Sequence, residues 1–178
     1  MEHYERDMKN ACLVLTGTDV TLSDMDTPTI QMVRQREFCA TAEVTVSPAN
    51  VQKDGRLGLA AFYSNDYHYE IYYTEKDGSG RICLSRRIHD LEAVTAEHEV
   101  SEASEKEALR LRIIADKESY RFYYSLGAEA PYVYLGCGDT AGLCTEITRT
   151  MTFTGVYFGM FAERATGAFR EFNVTYEE

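Results

Sequence analysis

The residues that could do chemistry are concentrated in one aromatic stretch, residues 62–73, which reads "FYSNDYHYEIYY" and holds five tyrosines and one phenylalanine. Aromatic rings offer apolar faces on which sugar rings can stack, and the histidine and the glutamate between them can bind hydroxyl groups. The same tyrosines could equally fill the interior of an ordinary β-sandwich. The stretch therefore supports two readings, a binding surface and a structural core.

Period-two alternation along this stretch separates the two readings. One face would carry Tyr67, Tyr69, Ile71 and Tyr73, which predicts packing in a sandwich core. The opposite face would carry a mixed polar and aromatic set, as a sugar-facing sheet would: His68, Glu70 and Tyr72. Most of the tyrosines are thus predicted to be structural.

A second polar face follows from two later segments, "LRLRIIAD" at residues 109–116 and "YRFYYSL" at residues 120–126. Alternation places Arg110 and Arg112 on the polar face of the first segment and Tyr123 on that of the second. If the chain were a carbohydrate-binding module, these three residues and the polar face of the aromatic stretch would line one solvent-exposed groove.

Catalytic patterns are not recognisable in the sequence. A glycosidase needs two carboxyl groups roughly 5–10 Å apart, but with 29 acidic residues any pair chosen from sequence is uninformative. A Glu-x-Asp-x-x-Glu strand pattern, a Gly-Lys-Ser/Thr phosphate loop after "GCGDTAG" and a Gly-x-Ser-x-Gly elbow are all missing. We therefore predict no catalytic residue and no cofactor.

The composition of the chain limits the classes of partner it could bind and the cellular compartment in which it would work. The 178 residues carry a formal net charge of −11 without a dense basic patch, which argues against nucleic acid or an anionic membrane as a partner. The five scattered cysteines and four histidines show no metal-ligand spacing. Free thiols, together with a charged N-terminal segment unlike a secretory signal, predict the cytoplasm.

Alternating segments recur along the chain and helical periodicity is nearly lacking. "FCATAEVTV" at residues 38–46 predicts a half-buried strand that ends at residues 48–50, before a turn at "KDGR". Residues 164–167 are similarly predicted to separate two final strands. About ten short strands without a crossover helix are typical of an antiparallel two-sheet β-sandwich or jelly roll. We assign residues 12–178 to one domain, after a polar leader at residues 1–11.

The order of several segments resembles one known domain. These segments are "CLVLTG", "VRQREFCATAEVTVSP", "GRLGLAAFYSNDYHYEIYYTE", "LRLRIIADKESYRFYYSLG" and, most specifically, "TFTGVYFGMFAE" before "FNVTYEE". Over about residues 12–177, the chain is similar to the C-terminal concanavalin A-like β-sandwich of the β-xylosidases and arabinofuranosidases of glycoside hydrolase family 43. The resemblance implies an all-β concanavalin A-like jelly roll.

The resemblance also implies a function. In that family the catalytic carboxylates lie on a five-bladed propeller that precedes the sandwich, and these 178 residues contain no propeller pattern. The chain would then be a non-catalytic accessory domain with two kinds of partner, a catalytic propeller domain and xylo-oligosaccharide-type sugars. The family's sandwich supplies an aromatic loop to the sugar pocket, and the matching loop here is "TRTMTFTGVYF", with Phe153 as the wall residue. A homo-oligomer is left open.

Three departures from the family pattern bear on this reading. Tyr132 stands where a tryptophan is frequent, and "AFREFNV" carries Arg170 and Phe172 where acidic residues are usual. The strand that normally precedes "LVLTG" is either missing or replaced by "HYERDMK". Two other interpretations stay open, a stand-alone carbohydrate-binding module and a bare scaffold without a ligand, and the chain is either a fragment of a longer enzyme or a stand-alone relative.

Overall fold

The computed structural model describes residues 3–100, 108–148 and 154–177. These residues form eleven β-strands and one short 3-10 helix at Thr140–Leu143. The strands are β1 (Tyr4–Asp7), β2 (Cys12–Thr16), β3 (Thr29–Arg34), β4 (Ala40–Ser64), β5 (Tyr67–Lys76), β6 (Ser79–Ile88), β7 (Leu91–Val100), β8 (Leu109–Ala115), β9 (Ser119–Leu126), β10 (Val133–Asp139) and β11 (Tyr157–Tyr176).

All strand pairs are antiparallel, and two long strands, β4 and β11, are shared by two sheets. The first sheet runs β3, the N-terminal half of β11, the C-terminal half of β4, β5, β6 and β7. The second sheet runs β1, β2, the C-terminal half of β11, the N-terminal half of β4, β8, β9 and β10. The predicted two-sheet antiparallel sandwich is confirmed.

Both long strands pass between the sheets through irregular backbone at the same level. The pairing register of β11 against β4 shifts between Glu163 and Ala165, and Asp54 and Arg164 have φ angles of 59° and 46°. Gly55 lies so close to the carbonyl oxygen of Arg164 that a Cβ there would sit 2.4 Å from it. The predicted turns at "KDGR" and at residues 164–167 are therefore bends within continuous strands, and Pro48 does not end β4.

The core lies between the two sheets and is built from alternate residues of each strand, as the sequence predicts. Tyr69, Ile71 and Tyr73 of β5 are 0% exposed and contact inward-facing residues of the second sheet. Edge-to-face ring contacts join Tyr69 to Tyr120 and Phe122 of β9. Burial raises the pKa of the Tyr69 hydroxyl to about 12, and this group donates to the carbonyl oxygen of Asp139 at 2.9 Å. The structural reading of these tyrosines is confirmed.

The leader predicted at residues 1–11 contributes a strand. Tyr4–Asp7 forms β1 and pairs with β2, so "HYERDMK" supplies the strand that precedes "LVLTG". The Tyr4 hydroxyl accepts from the backbone N–H of Ile30 at 3.1 Å and lies 3.2 Å from its carbonyl oxygen. The Tyr176 hydroxyl donates to the carbonyl of Arg34 at the other end of β3. Two tyrosines thus cover part of the free edge of β3, where exposed backbone groups would invite pairing with another strand.

Candidate functional site

A cluster of four ionisable side chains, three of them buried and the fourth, Arg56, largely so, lies on the outer face of the first sheet. Arg56 from β4 lies at its centre, with its Nη1 atom 3.0 Å from Oε2 of Glu70 and its Nε atom 2.5 Å from Oε2 of Glu163. Nε2 of His68 lies 3.0 Å from Oε1 of Glu70. We call Arg56, His68, Glu70 and Glu163 the buried polar network. His68 and Glu70 were predicted as candidates, whereas Arg56 and Glu163 were not.

The charged groups of the network shift the pKa values of one another. Burial opposes the imidazolium form of His68, but Glu70 outweighs this effect, so the pKa of His68 is raised. Burial also opposes the ionised form of Glu70, and here the positive charges of Arg56 and His68 prevail and lower its pKa. Nε2 of His68 and Oε1 of Glu70 are close but not hydrogen-bonded to each other, so their attraction is mainly electrostatic. The two shifts therefore both favour the charged forms of His68 and Glu70 beside Arg56.

Glu163 is the carboxylate of the network that retains its proton most readily. Burial and the nearby charge of Glu70 raise its pKa, although Arg56 acts in the opposite direction. Its Oε1 atom accepts from the backbone N–H of Leu22 at 2.7 Å. This bond satisfies a buried carboxyl oxygen and a buried backbone N–H together, and leaving either of them unpaired would be costly. Glu163 therefore ties the network to the segment that precedes β3.

That segment, residues 18–28, covers the face on which the sequence predicted an exposed sugar-binding groove. Leu22 is 0% exposed and packs on Ala60, Tyr72 and Phe161, and the side chain of Asn65 donates to the carbonyl of Asp24. The predicted alternation of the aromatic stretch is correct, but His68, Glu70 and Tyr72 are only 1%, 0% and 6% exposed. The expectation that they line an open groove is wrong, because the chain's own segment fills that space.

Part of the same face remains open beside the covering segment. A cavity of about 500 Å³ is bordered by Arg56, Tyr72 and Glu163 of the floor and by Arg81 and Glu97 of the wall. The Arg56 guanidinium lies over the Tyr72 ring, 5.3 Å from its centroid. Of the three predicted residues on this face, Tyr72 is thus the one that borders the cavity.

Arg110, Arg112 and Tyr123 lie on the outer face of the second sheet. Two of these residues surround Tyr132, with the guanidinium carbons of Arg110 and Arg112 at 4.7 and 3.6 Å from the ring centroid. Arg112 also pairs with Glu43. Arg110 donates to the carbonyls of Gly127 and Ala130 and to the Ser125 hydroxyl, which fixes the turn before β10.

The prediction of one shared groove is therefore wrong as well. Strands β5 and β8 belong to different sheets, and their polar residues point away from the common core. His68 and Glu70 consequently lie on one side of the sandwich and Arg110, Arg112 and Tyr123 on the other. Contact of any of these residues with a sugar stays a prediction.

Phe153, the predicted wall residue, lies outside the described residues. Described residues on either side of it in the chain, Glu146 and Val156, line a second cavity of about 440 Å³ together with Tyr63, Tyr120 and Phe38 among others. Phe38 is 62% exposed. Gln35 shapes this end of the sandwich, since its side chain accepts from the Tyr120 hydroxyl at 2.8 Å and its backbone N–H donates to the carbonyl of Val156 at 2.9 Å.

Three further features of the described part of the chain bear on metal binding, membrane crossing and disulfide formation. There, no three His, Cys, Asp or Glu side chains are grouped so that they could hold a metal ion. None of its helices has the length and apolar character that crossing a membrane would require. All five cysteines, which fall within the described ranges, carry free thiols.

Comparison with known proteins gives consistent matches. The model of the β-xylosidase C-terminal concanavalin A-like domain matches residues 2–175. A non-reducing end α-L-arabinofuranosidase of Bacteroides ovatus is 27% identical over 154 residues, which are 86% of this chain and 28% of the relative. Two solved structures share the fold, a xyloglucan-locus family 43 protein of Bacteroides ovatus (TM-score 0.86, 23% identity) and a xylan β-1,4-xylosidase of Bacillus halodurans (TM-score 0.83, 18% identity).

The coverage of these matches is uneven. The superpositions include 98% and 92% of this chain but only 34% and 32% of the two solved chains. The chain thus spans about a third of the length of the proteins it matches. Since the family model accounts for nearly every residue, the chain belongs to the family of β-xylosidase C-terminal concanavalin A-like domains.

Proposed function

We propose that this chain acts as a non-catalytic accessory domain of a hydrolase that removes xylose or arabinose units from hemicellulose. The observation that carries the proposal is the family match over residues 2–175. The relatives named a xylosidase and an arabinofuranosidase are about three times longer than this domain. The remaining length of these relatives leaves room for a separate catalytic domain. The catalytic partner of this chain would be a domain of that kind, in the same or another polypeptide.

The end of the sandwich around Phe38 is the surface best suited to contact a catalytic domain. Its cavity is floored by apolar and aromatic side chains and rimmed by polar ones such as Arg36 and Glu146, an arrangement that is typical of protein interfaces. Ile147, which lies in the same segment as the cavity wall, is also 42% exposed. Exposed apolar groups of this kind gain free energy when a partner covers them.

Phe153 belongs to the stretch of chain between Thr148 and Thr154. We propose that it reaches the sugar pocket of the catalytic domain and that the Phe153 ring forms part of the wall. An aromatic face can contact a pentose ring while excluding water from the bond that is cleaved. The substrates would then be short xylo- or arabino-oligosaccharides.

A chimera tests the accessory role. The C-terminal region of the Bacteroides ovatus α-L-arabinofuranosidase would be replaced by this chain and compared with the same enzyme truncated before that region. We expect the chimera to be soluble and at least tenfold more active than the truncated enzyme on an aryl α-L-arabinofuranoside. The isolated chain should release no sugar from aryl arabinofuranosides or xylosides.

Two variants of the chimera refine the test. Phe153→Ala should lower kcat/KM at least tenfold without reducing solubility, because the pocket would lose one wall. Arg121→Gln, on the outer face of the second sheet, should leave kcat/KM unchanged. Turnover by the isolated chain, or a chimera no better than the truncated enzyme, would refute the accessory role.

The remaining expectations are proposals of the same kind. Free thiols support a reducing compartment, and we propose the cytoplasm. The acidic surface supports partners other than nucleic acid or anionic membranes. Fractionation of the native host, followed by detection with an antibody against the chain, would test the location.

A further inference from the structure

The cavity on the outer face of the first sheet has no role in the proposed docking end. The two cavities lie at opposite ends of β5. Thr74 and Lys76, at the C-terminal end of the strand, line this cavity, whereas Tyr63, just before the turn that leads into β5, lines the cavity at the docking end. Its volume of about 500 Å³ falls within the roughly 300–1,000 Å³ that is common for small-molecule sites. It therefore needs an explanation of its own.

The floor of this cavity is charged and held in place. Arg56 is 14% exposed and contacts Glu70, Glu92 and Glu163, and Glu163 itself is 1% exposed. Apolar residues of similar volume would stabilise a bare scaffold at least as well as a buried ion network. Clusters of buried ionisable groups beside a cleft are instead characteristic of functional sites. The arrangement thus points to a ligand.

The charges around the cavity indicate which ligand. Its lining includes four cationic side chains, Arg56, Lys76, Arg81 and Arg164, and five acidic ones, Asp54, Glu75, Glu92, Glu97 and Glu163. Several of them are already paired across short distances, such as Arg81 with Glu97 at 2.7 Å. An ionic ligand would have to break these pairs and would bring an uncompensated charge. A neutral ligand avoids both penalties.

The ligand must also offer hydrogen-bond acceptors to the guanidinium groups and donors to the carboxylates that line the cavity. A sugar unit does both. Hydroxyl groups can donate to carboxylates and accept from guanidinium groups without changing the charge of the site. The Tyr72 ring is largely covered and Arg56 lies over it, so hydrogen bonds rather than ring stacking would provide recognition. Apolar contact comes from Val94, which borders the cavity and is 55% exposed.

We propose that the cavity over Arg56, Tyr72 and Glu163 binds a neutral oligosaccharide unit through its hydroxyl groups, with Arg81 and Glu97 as wall residues. This site goes beyond the accessory role, because it needs no catalytic domain. It would hold a polysaccharide chain on the outer face of the first sheet.

The test is a titration of the isotope-labelled chain with xylotetraose, followed by two-dimensional amide NMR. Saturable shifts are expected for the backbone amides of Tyr72, Val94 and Glu97, with a Kd below about 5 mM. Arg81→Gln removes a wall donor whose ion pair is partly exposed and contributes little stability, and it should weaken binding at least fivefold. Arg121→Gln removes a similarly exposed ion pair with Asp116 on the second sheet and should leave the Kd unchanged.

A charged probe and the position of the shifts complete the test. An oligogalacturonide of the same length should bind at least tenfold more weakly than xylotetraose. The proposal is refuted by an absence of shifts at 20 mM xylotetraose, by shifts centred on Phe38 instead, by equal binding of the oligogalacturonide, or by an unchanged Kd in Arg81→Gln. The accessory role is measured separately, as the activity of the chimera, so either idea can fail without the other.

Discussion

The two outer faces of the sandwich carry nearly the same arrangement of side chains. On the first sheet Arg56 lies over the Tyr72 ring and pairs with glutamates, and on the second sheet Arg112 lies over the Tyr132 ring and pairs with Glu43. In both places the arginine projects from a strand of alternating residues. The chemistry of the two groups is thus alike.

The solvent around them is not alike. Arg56 is 14% exposed and its partner Glu70 is fully buried, whereas Arg112 and Glu43 are 30% and 32% exposed. Where little water is present, a charged side chain is stabilised mainly by its ion-pair partner. Near the surface, water weakens the attraction between the two charges and hydrates a charge that has lost its partner. The same trio of residue types is therefore essential on one face and dispensable on the other.

The largest expected effect comes from removing the central cation of the buried polar network. Arg56→Met leaves the carboxylates Glu70 and Glu163 without their main partner in a buried site. Loss of one member of a buried ion pair typically costs about 3–5 kcal/mol. We expect urea denaturation, monitored by tyrosine fluorescence, to show a decrease of that size in the free energy of unfolding.

The matched control is Arg112→Met on the second sheet. Its partner Glu43 can be hydrated, so we expect a loss of no more than about 1 kcal/mol. Equal losses for the two variants would contradict the argument, because they would mean that solvent exposure does not distinguish the two faces.

The next effect concerns the segment that creates the difference. Leu22→Ala removes a side chain that is 0% exposed and that holds residues 18–28 on the first sheet. A buried leucine truncation costs about 2–5 kcal/mol, and water should also gain access to His68. Met25→Ala, in the same segment but 97% exposed, should change stability by less than about 0.5 kcal/mol. Hydrogen exchange of the His68 and Glu70 amides that stayed equally slow in wild type and Leu22→Ala would show that the segment is not the cover.

The sequence predicted the core of this fold well. Alternation identified the inward faces of β4, β5, β8 and β9, because a half-buried strand must place every second residue in the core. It did not reveal β1, β3 or β7, which lie at or near the margins of the sheets. In β7, nine of the ten residues are exposed or partly exposed, so neither face is marked by burial. The bends in β4 and β11 were read as turns, since Pro48 and Gly55 are local signals whereas strand continuity is set by tertiary pairing.

The site was harder to predict. Alternation correctly placed His68, Glu70 and Tyr72 on one face, but a strand pattern does not say what lies above it. The cover comes from Leu22, which lies 41 residues before Tyr63 in the chain and still further before His68. It belongs to a segment that shows no periodicity. Arg56 and Glu163 look like ordinary strand-flanking charges in the sequence. Only the pairing of β4 with β11, which sets Arg56 opposite Glu163, brings them together.

A pH effect of intermediate size should distinguish the faces. The pKa of His68 is raised because Glu70 stabilises its charged form more than burial opposes it. The folded state thus binds the proton more tightly than the unfolded state, whose His pKa is about 6.5. The resulting stabilisation is complete below that value and is lost as pH rises through the folded pKa. The pH dependence of stability should therefore follow the protonation of His68, with the stabilisation lost towards alkaline pH.

Thermal unfolding between about pH 5.5 and 9 measures this effect. The wild-type chain should lose stability towards alkaline pH more steeply than His68→Gln, which cannot carry the proton. His98→Gln is the control, because His98 is exposed and stacks on Tyr124 instead of pairing with a buried carboxylate. Parallel pH profiles for wild type and His68→Gln would rule out the charged His68–Glu70 pair.

The smallest expected effect is the coupling between Arg112 and Tyr132 on the open face. The guanidinium carbon lies 3.6 Å from the ring centroid, but an exposed cation–π contact contributes only about 0.5–1 kcal/mol. A double-mutant cycle with Arg112→Met and Tyr132→Leu, measured by urea denaturation, should give a coupling of that size that shrinks in about 1 M salt, because the ions screen partly exposed charges. A coupling above about 2 kcal/mol that did not respond to salt would mean that this face is as dry as the first. The difference in stability effects between Arg56 and Arg112 would then come from the number of carboxylates around each arginine, and not from the segment at residues 18–28 that covers the first sheet.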